Sequence, residues 1–261
     1  MDKLYMIIPA YNEEETIREV IREWYPMVVM TGPESRLVVI DDGSQDNTYG
    51  VMCTEAYGKP QLIAKHKKNS GHGPTILLGY RYALKKGADY IFQTDSDGQT
   101  RAEEFPDFWR MRRHYDLVAG YRKKRQDGLS RIFVTKVLKA VIALCFHVVV
   151  TDANTPFRLM EAHSLSEEIR LVPRDYFLTN VLLTVLYTRH GRKIKYVPIT
   201  FRPRQGGINS INMKRIFRIG QNALRDFRVL NRRIDREGSQ KSSQVQKSTG
   251  DEGKCTDEQK R

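Results

Sequence analysis

Short continuous apolar runs alternate with amphipathic stretches through the first hundred residues. Leu4 to Pro9, Leu37 to Ile40, Leu62 to Ala64 and Tyr90 to Phe92 are almost wholly apolar, with no polar residue at every second place. That is the pattern of strands covered on both faces, as in a parallel sheet. After the first run, Ile17, Val20, Ile21 and Trp24 recur at helical spacing, which predicts a helix over Glu13 to Trp24. Asn12 is its expected N-cap, and Glu13, Glu14 and Glu15 crowd a first turn where the helix dipole favours negative charge. Further helices are expected from about Asn47 and over Pro74 to Lys86, the latter with proline in its first turn. The alternation predicts an α/β domain with a mostly parallel central sheet and helices on both faces.

The second half is less regular. Asp116 to Ala119 reads as a strand leading into Gly120, Tyr121, Arg122 and a basic loop, Lys123 to Arg125. Ile132 to Val150 reads as an unusually apolar helix, and Asp152 to Arg158 as a polar turn into Leu159 and Met160. A helix over Phe177 to Tyr187 and a strand over Ile194 to Phe201 follow, then a flexible basic loop from Arg202 to Ser210. Met213 to Arg233 carries Ile216, Ala223, Phe227 and Leu230 on one side and seven Lys or Arg against the single acid Asp226. The expected division is therefore a folded α/β domain over 1–212, a basic amphipathic helix over 213–236 and a disordered polar tail over 237–261.

Chemistry concentrates where the early strands end. Tyr11 and Glu13 follow the first, Asp41 and Asp42 the second, and Asp95 and Asp97 the fourth. In open α/β sheets this carboxyl edge is where ligands bind. Asp95 and Asp97, two residues apart with Gly98 bending the chain, can face one point in space. Such a pair suits Mg²⁺ or Mn²⁺, which keeps positions open for water and phosphate oxygens, and Gln99 offers a neutral oxygen. An ordinary surface turn is the competing reading. An EF-hand is excluded, because Thr100 stands where the loop glycine is needed and Pro106 where the final glutamate is.

Charge narrows the partners. Lys and Arg number 44 against 31 Asp and Glu, a formal charge of +13, which suits nucleic acid, an anionic membrane surface or a phosphate-bearing substrate. Cys53, Cys145 and Cys255 have neither paired nor metal-ligand spacing, so reduced thiols in the cytoplasm are expected. No secretory signal opens the sequence, and the longest apolar run, Ala140 to Val150, is about half the length a bilayer requires. The expected location is cytoplasmic, peripheral on an anionic membrane face through the Met213 to Arg233 helix. Oligomeric state is left open.

Ile7-Ile-Pro-Ala-Tyr-Asn-Glu13, Val39-Ile-Asp-Asp-Gly-Ser44 and Thr94-Asp-Ser-Asp97 together resemble the family 2 glycosyltransferases, enzymes with the nucleotide-sugar-binding GT-A fold. Val197-Pro-Ile-Thr-Phe-Arg-Pro-Arg204, followed by Gly207 and Ser210, looks like the branch of dolichyl-phosphate mannose synthase and its polyprenyl-phosphate relatives. The resemblance covers residues 4 to 232. It implies that Pro9, Tyr11, Glu13 and Asp42 surround a nucleoside. It puts Asp95, Asp97 and Gln99 at a divalent metal, Mg²⁺ or Mn²⁺, and the donor diphosphate. Arg122 and Arg204 match arginines that contact phosphate, and Arg131 falls where an acceptor phosphate approaches; for Arg122 and Arg131 solvated surface charge is the plain alternative. Two departures stand out: Ile211 replaces the lysine that usually follows the loop serine, and the loop is one residue longer.

The implied activity is inverting, metal-dependent transfer of a sugar from a nucleoside diphosphate, with Asp97 and Arg204 stabilising the leaving diphosphate. A polyprenyl (dolichyl or undecaprenyl) phosphate acceptor is already an anion, whereas a saccharide hydroxyl needs a carboxylate to take its proton. The acidic pair and the Gln-x-x-Arg-Trp motif of many saccharide-elongating members are missing, which favours the phosphate. Asp175 keeps the hydroxyl reading open as a candidate base. His72 and His190 are explained by helix ends and receive no role. Two readings of other classes remain, a non-catalytic nucleotide-sugar binder and a nucleic-acid-binding protein. The second is disfavoured because no recognised nucleic-acid motif appears.

Overall fold

β1 (Leu4–Ala10) lies inside the sheet with a parallel neighbour on each side, and all seven of its residues are buried. It pairs in parallel with β2 (Arg36–Asp41) on one side and β4 (Tyr90–Gln93) on the other. Pairing with β4 ends where Ile7 meets Gln93. Pro9, which has no N–H to donate, therefore stands beyond the end of that ladder and interrupts nothing. The computed structural model describes residues 1–122 and 129–202 with Phe227 and Asn231, the side chains of 129–136 excepted.

The sheet has seven strands in the order β3-β2-β1-β4-β6-β5-β7, where β3 is Leu62–His66, β5 Leu117–Arg122, β6 Arg158–Glu161 and β7 Ile194–Ile199. β6 runs antiparallel to both neighbours, and every other pairing is parallel. Both faces are covered. Leu4, Met6, Ile8, Leu37 and Val39 share a core with Ile17, Ile21 and Trp24 of α1 (Ile17–Met30) and Met52 of α2 (Thr48–Ala56). α3 (His72–Lys85) lies on the opposite face. There Gly79 is needed, since a Cβ would come within 2.4 Å of Ile7 Cγ2. Phe105 and Phe108 of α4 (Phe105–Met111) extend the first core, where Phe92 and Phe157 pack edge-on with ring centroids 4.8 Å apart. α5 spans Leu129–Phe146, α6 Ala162–Glu168 and α7 Thr179–Arg189.

The expected α/β architecture and parallel sheet are present, with four differences of detail. α1 begins at Ile17, so Asn12 does not cap it; Asn12 takes a left-handed backbone, φ 53°, and serves the loops instead. The helix also runs through Pro26 to Met30, because Val28 is buried in the core. α4 and α6, seven residues each, are too short to show a period. The polar turn expected over Asp152 to Arg158 ends one residue early, because Arg158 opens β6, where it is buried and serves the interior.

The chain divides into two units. One comprises Met1–Phe133 with Val148–Ser210, the other Val134–His147 with Ile211–Arg261. In the second, the rings of Phe146 and Phe227 meet edge-on at 5.0 Å. Among the described residues no helix is long and apolar enough to cross a membrane. The expected helix over Met213 to Arg233, apart from Phe227 and Asn231, and the expected tail lie outside the described residues.

One ion cluster ties α1 to α2. Glu55 on α2 is 4 % exposed and meets Arg18 at 2.6 Å, Arg22 at 3.1 Å and Lys59 at 3.0 Å. Burial pushes its carboxyl up, but the bonds from Lys59 and Arg22 outweigh this and hold it below the usual range. A depressed acid stabilises the fold above its unfolded pKa, and that contribution fades as pH falls through the folded value. Glu55→Gln should cost about 1–3 kcal/mol at pH 7, below the ~3–5 kcal/mol of breaking a fully buried pair because the cations are partly exposed. The gap to wild type should narrow as pH falls below the ordinary glutamate range. Urea unfolding at pH 7 and through that acid range measures it; a pH-independent gap would contradict the ionic origin.

Candidate active site

The carboxyl ends of β1, β2, β3 and β4 open onto one cleft of about 460 Å³, lined by Pro9, Ala10, Tyr11, Glu13, Asp42, Asn69, Gly71, His72, Thr75, Asp95, Ser96 and Asp97. The loops forming it are bonded to each other across the edge. Asn12 donates its backbone N–H to Ser44 Oγ at 2.9 Å and accepts from the Gln45 N–H at 2.8 Å. The Glu13 N–H donates to Thr48 Oγ1 at 2.9 Å. Thr16 donates its hydroxyl to the Glu13 carboxylate at 2.6 Å and lies 3.2 Å from the Ser96 carbonyl, joining the β1 and β4 loops.

Asp42 is almost completely enclosed and fixes the β3–α3 loop. Its Oδ1 accepts from the Ser70 N–H and its Oδ2 from the Gly71 N–H, both at 2.8 Å, while the Lys67 ammonium pairs with Oδ1. Asp41, fully buried, accepts from Ser44 and meets His66 Nδ1 at 2.6 Å. Between them the two acids of β2 hold the loops after β2 and β3. Gly43, at φ 69°, has no space for a Cβ, which would lie 2.6 Å from the Asn69 nitrogen.

Asp95 and Asp97 lie together at the floor of the cleft. About a third of the Asp95 side chain is exposed, yet its Oδ1 is buried with no hydrogen-bond partner. Burial raises its carboxyl pKa first of all; His72 lowers it, Asp97 raises it, and Gln93 and Arg158 lower it, the net shift being upward. His72 Nε2 stands 3.7 Å from that buried oxygen. Asp97 Oδ1 accepts from the Gln99 N–H at 3.1 Å.

Two carboxylates side by side in an open cleft whose lining holds no lysine or arginine among the described residues fit a divalent cation. Among the described residues no group of three or more His, Cys, Asp or Glu could hold a metal alone. A cation held by two carboxylates and completed by substrate phosphates and water is the arrangement Mg²⁺-type sites use. Asp95 and Asp97 are the residues that would hold it.

The other expected residues are placed differently. Gln99 does not line the cleft; it is bonded to the chain after β7, accepting the Arg202 N–H at 2.8 Å and donating its amide nitrogen toward the Arg202 carbonyl at 3.4 Å. Arg202 is itself held by Glu23 at 2.9 Å. Arg122, at the end of β5, lays its guanidinium 3.6 Å from the Phe201 ring centroid. Asp175 is exposed and outside the cleft lining. Arg131 lies in α5 with its side chain outside the described residues, as is all of Arg204. Sequence reasoning missed Lys67, Asn69 and Arg158. Arg158 is fully buried and donates to the carbonyls of Ala153, Thr155 and Asn180 at 2.7–3.3 Å.

A mostly parallel sheet with one antiparallel strand, carrying a carboxylate-lined cleft at its carboxyl edge, agrees with the GT-A fold of glycosyltransferases. The chain belongs to glycosyl transferase family 2, whose model matches residues 5–234. It is similar to the undecaprenyl-phosphate mannosyltransferase of Micrococcus luteus, 27 % identical over 212 residues, 78 % of this chain and 86 % of that one. The undecaprenyl-phosphate 4-deoxy-4-formamido-L-arabinose transferase of Sodalis glossinidius is 23 % identical over 219 residues, 83 % of this chain but 65 % of the relative's length. Among solved structures, glucosyl-3-phosphoglycerate synthase from Mycobacterium tuberculosis, with Mn²⁺, UDP-glucose and phosphoglyceric acid, superimposes with a TM-score of 0.60 at 16 % identity. The match covers 88 % of this chain and 79 % of that one. S. aureus TarS 1-349 gives 0.53 at 18 %, over 76 % and 60 %. At these identities the structural likeness speaks to the fold alone.

Gly73 presses α3 against the loop before α7: a Cβ would come within 2.4 Å of the Tyr176 carbonyl oxygen and 2.5 Å of that of Phe177. Backbone on both sides leaves no flexible group to yield. Gly73→Ala should therefore destabilise by about 1–3 kcal/mol, as overpacking does, and displace His72 and Gly71 at the cleft. Thermal unfolding together with transfer activity checks this; an unchanged melting temperature would mean that the contact is loose.

Proposed function

We propose that the chain transfers a sugar from a nucleoside diphosphate to the phosphate of a polyprenyl lipid, inverting the anomeric carbon, with Mg²⁺ or Mn²⁺ at Asp95 and Asp97. The observation that carries this reading is the pairing of those two carboxylates in the cleft shared with Pro9, Tyr11, Glu13 and Asp42, with no lysine or arginine lining it among the described residues. Similarity to two transferases named for undecaprenyl phosphate supports the acceptor. Mn²⁺ beside UDP-glucose in a protein of the same fold supports the cation and a nucleotide-sugar donor.

In this reaction an oxygen of the acceptor phosphate forms a bond to the anomeric carbon, opposite the departing group. The bond from that carbon to the donor diphosphate breaks, and its electron pair leaves on the diphosphate oxygen. Pro9, Tyr11, Glu13 and Asp42 hold the nucleoside, with Asp42 kept in place by Lys67 and the Ser70 and Gly71 N–H groups. When bound, the cation supplies electrostatic stabilisation of charge growing on the diphosphate. Arg204 assists there, and Arg122 and Arg131 meet phosphate groups. The acceptor is already an anion, so no base is needed, which accords with an exposed Asp175 outside the cleft lining. A lipid acceptor puts the reaction at a membrane surface, which the basic segment Met213 to Arg233 suits by composition.

Asp97→Ala should abolish transfer to undecaprenyl phosphate while the melting temperature stays within a few degrees, since a strand-end turn residue contributes little packing. Near-normal turnover in the presence of Mn²⁺ would refute the cation site.

The acceptor class has its own test in Asp175→Asn. With a phosphate acceptor the rate should stay within about tenfold of wild type, because general-base assistance is worth ~10²–10⁴-fold. A drop of several hundredfold with unchanged donor binding would instead identify Asp175 as the base for a hydroxyl acceptor.

A further inference from the structure

Beneath Asp95 lies a group of polar side chains closed off from solvent. Tyr80 on α3 and Gln93 on β4 are fully buried, and Asn180 on α7 is 3 % exposed. The Tyr80 hydroxyl bonds Gln93 Oε1 and stands 3.3 Å from Asn180 Oδ1. A hydroxyl has one proton to give. It goes to Gln93, the nearer acceptor, and a turned Asn180 amide then donates its own N–H to Tyr80; the two ends of such an amide are exchanged by rotation.

That bond decides how Gln93 is oriented. With Oε1 on Tyr80, its Nε2 must face elsewhere, and this buried nitrogen has no hydrogen-bond partner. Oδ1 of Asp95 is likewise buried without a hydrogen-bond partner. Asp95 follows two residues after Gln93, the last residue of β4, and the Gln93 side chain is close enough to lower the Asp95 pKa as a hydrogen-bond donor. One atom is a donor and the other an acceptor, and each is left without a partner unless it serves the other. The burial of Tyr80 and Asn180 admits no other donor from solvent.

We propose that Tyr80 and Gln93 form a positioning relay for Asp95: Tyr80 fixes the Gln93 amide, whose Nε2 holds Oδ1 and so turns Oδ2 toward the cleft. The inference rests on the proposed cation site, and neither residue touches substrate. It gives a buried tyrosine on α3, remote from the cleft lining, a consequence for the cleft. A purely structural tyrosine would affect melting and leave cation affinity alone.

The test uses the full chain and Mn²⁺ alone, titrated by electron paramagnetic resonance, with thermal melting recorded for each variant. Tyr80→Phe keeps the packed ring and loses only the hydroxyl; Gln93→Leu keeps the bulk and loses the amide. Each should weaken Mn²⁺ binding about 10–100-fold, the usual effect of removing an outer partner of a ligand. The double variant should be no weaker than Gln93→Leu, because Tyr80 acts only through Gln93. Should Gln93→Leu fail to fold, Gln93→Met provides the same comparison. If both single variants bind Mn²⁺ like wild type, or their losses simply add, while Asp97→Ala abolishes binding, the relay is overturned and the cation site stands. If wild type takes up no more Mn²⁺ than Asp97→Ala, the cation site and the relay fall together.

Discussion

Parallel pairing on both sides of β1 is the constraint from which the rest follows. A parallel sheet ends all its strands at one edge, and the loops leaving that edge carry polar groups that need partners. Here the loops after β1, β2, β3 and β4 supply those partners to each other: Asn12 to Ser44 and Gln45, Glu13 to Thr48, Thr16 to Glu13 and Ser96, Asp42 to Ser70 and Gly71. Few of these bonds are local in sequence. The cleft is therefore as rigid as the sheet that presents it, and its side chains are placed by backbone that has little freedom to move.

Much of this was legible in the sequence because the informative signals are local. Four apolar runs ended in polar turns, and the turns contained Tyr11, Glu13, Asp42, Asp95 and Asp97, all of which line the cleft. What escaped was tertiary. β6 has four residues, opening with an arginine, so nothing in its composition distinguishes it from a loop; it is a strand because β4 and β5 leave a slot between them. α4 and α6 are too short for periodicity. Asn12 looked like a cap because asparagine before a run of glutamates usually is one. Its side chain instead found a partner 33 residues away, at Gln45. Lys67 sat in a visibly basic loop, but its pairing with Asp42 depends on how β2 and β3 align.

Net charge misleads at the cleft. The chain carries +13, yet the cleft lining includes Glu13, Asp42, Asp95 and Asp97 and no lysine or arginine among the described residues. Asp42 is neutralised by Lys67 and two backbone N–H groups, and Glu13 receives the Thr16 hydroxyl. Asp95 and Asp97 are left with the least compensation: one N–H from Gln99 for Asp97, and the imidazole of His72 3.7 Å from Asp95. Local charge, not the total, sets the electrostatic character of the cleft.

Arg158 shows why the sheet's single antiparallel strand matters to that balance. A guanidinium taken wholly out of water is costly, and among the described residues no carboxylate lies within ion-pairing distance of it. Burial lowers its pKa accordingly. Its compensation is three backbone carbonyls, from Ala153, Thr155 and Asn180, so the one side chain gathers the turn before β6 and the start of α7. Because β6 runs beside β4 with Arg158 opposite Gln93, the same charge also acts on Asp95 from below, lowering a pKa that burial raises. An aliphatic residue there would spare the desolvation cost. It would also take a donor from the Thr155 carbonyl, while Thr184 still serves those of Ala153 and Asn180, and remove a positive charge from beneath the acidic pair. The antiparallel insertion thus places positive charge where solvent has no access and where the carboxylates of the cleft feel it.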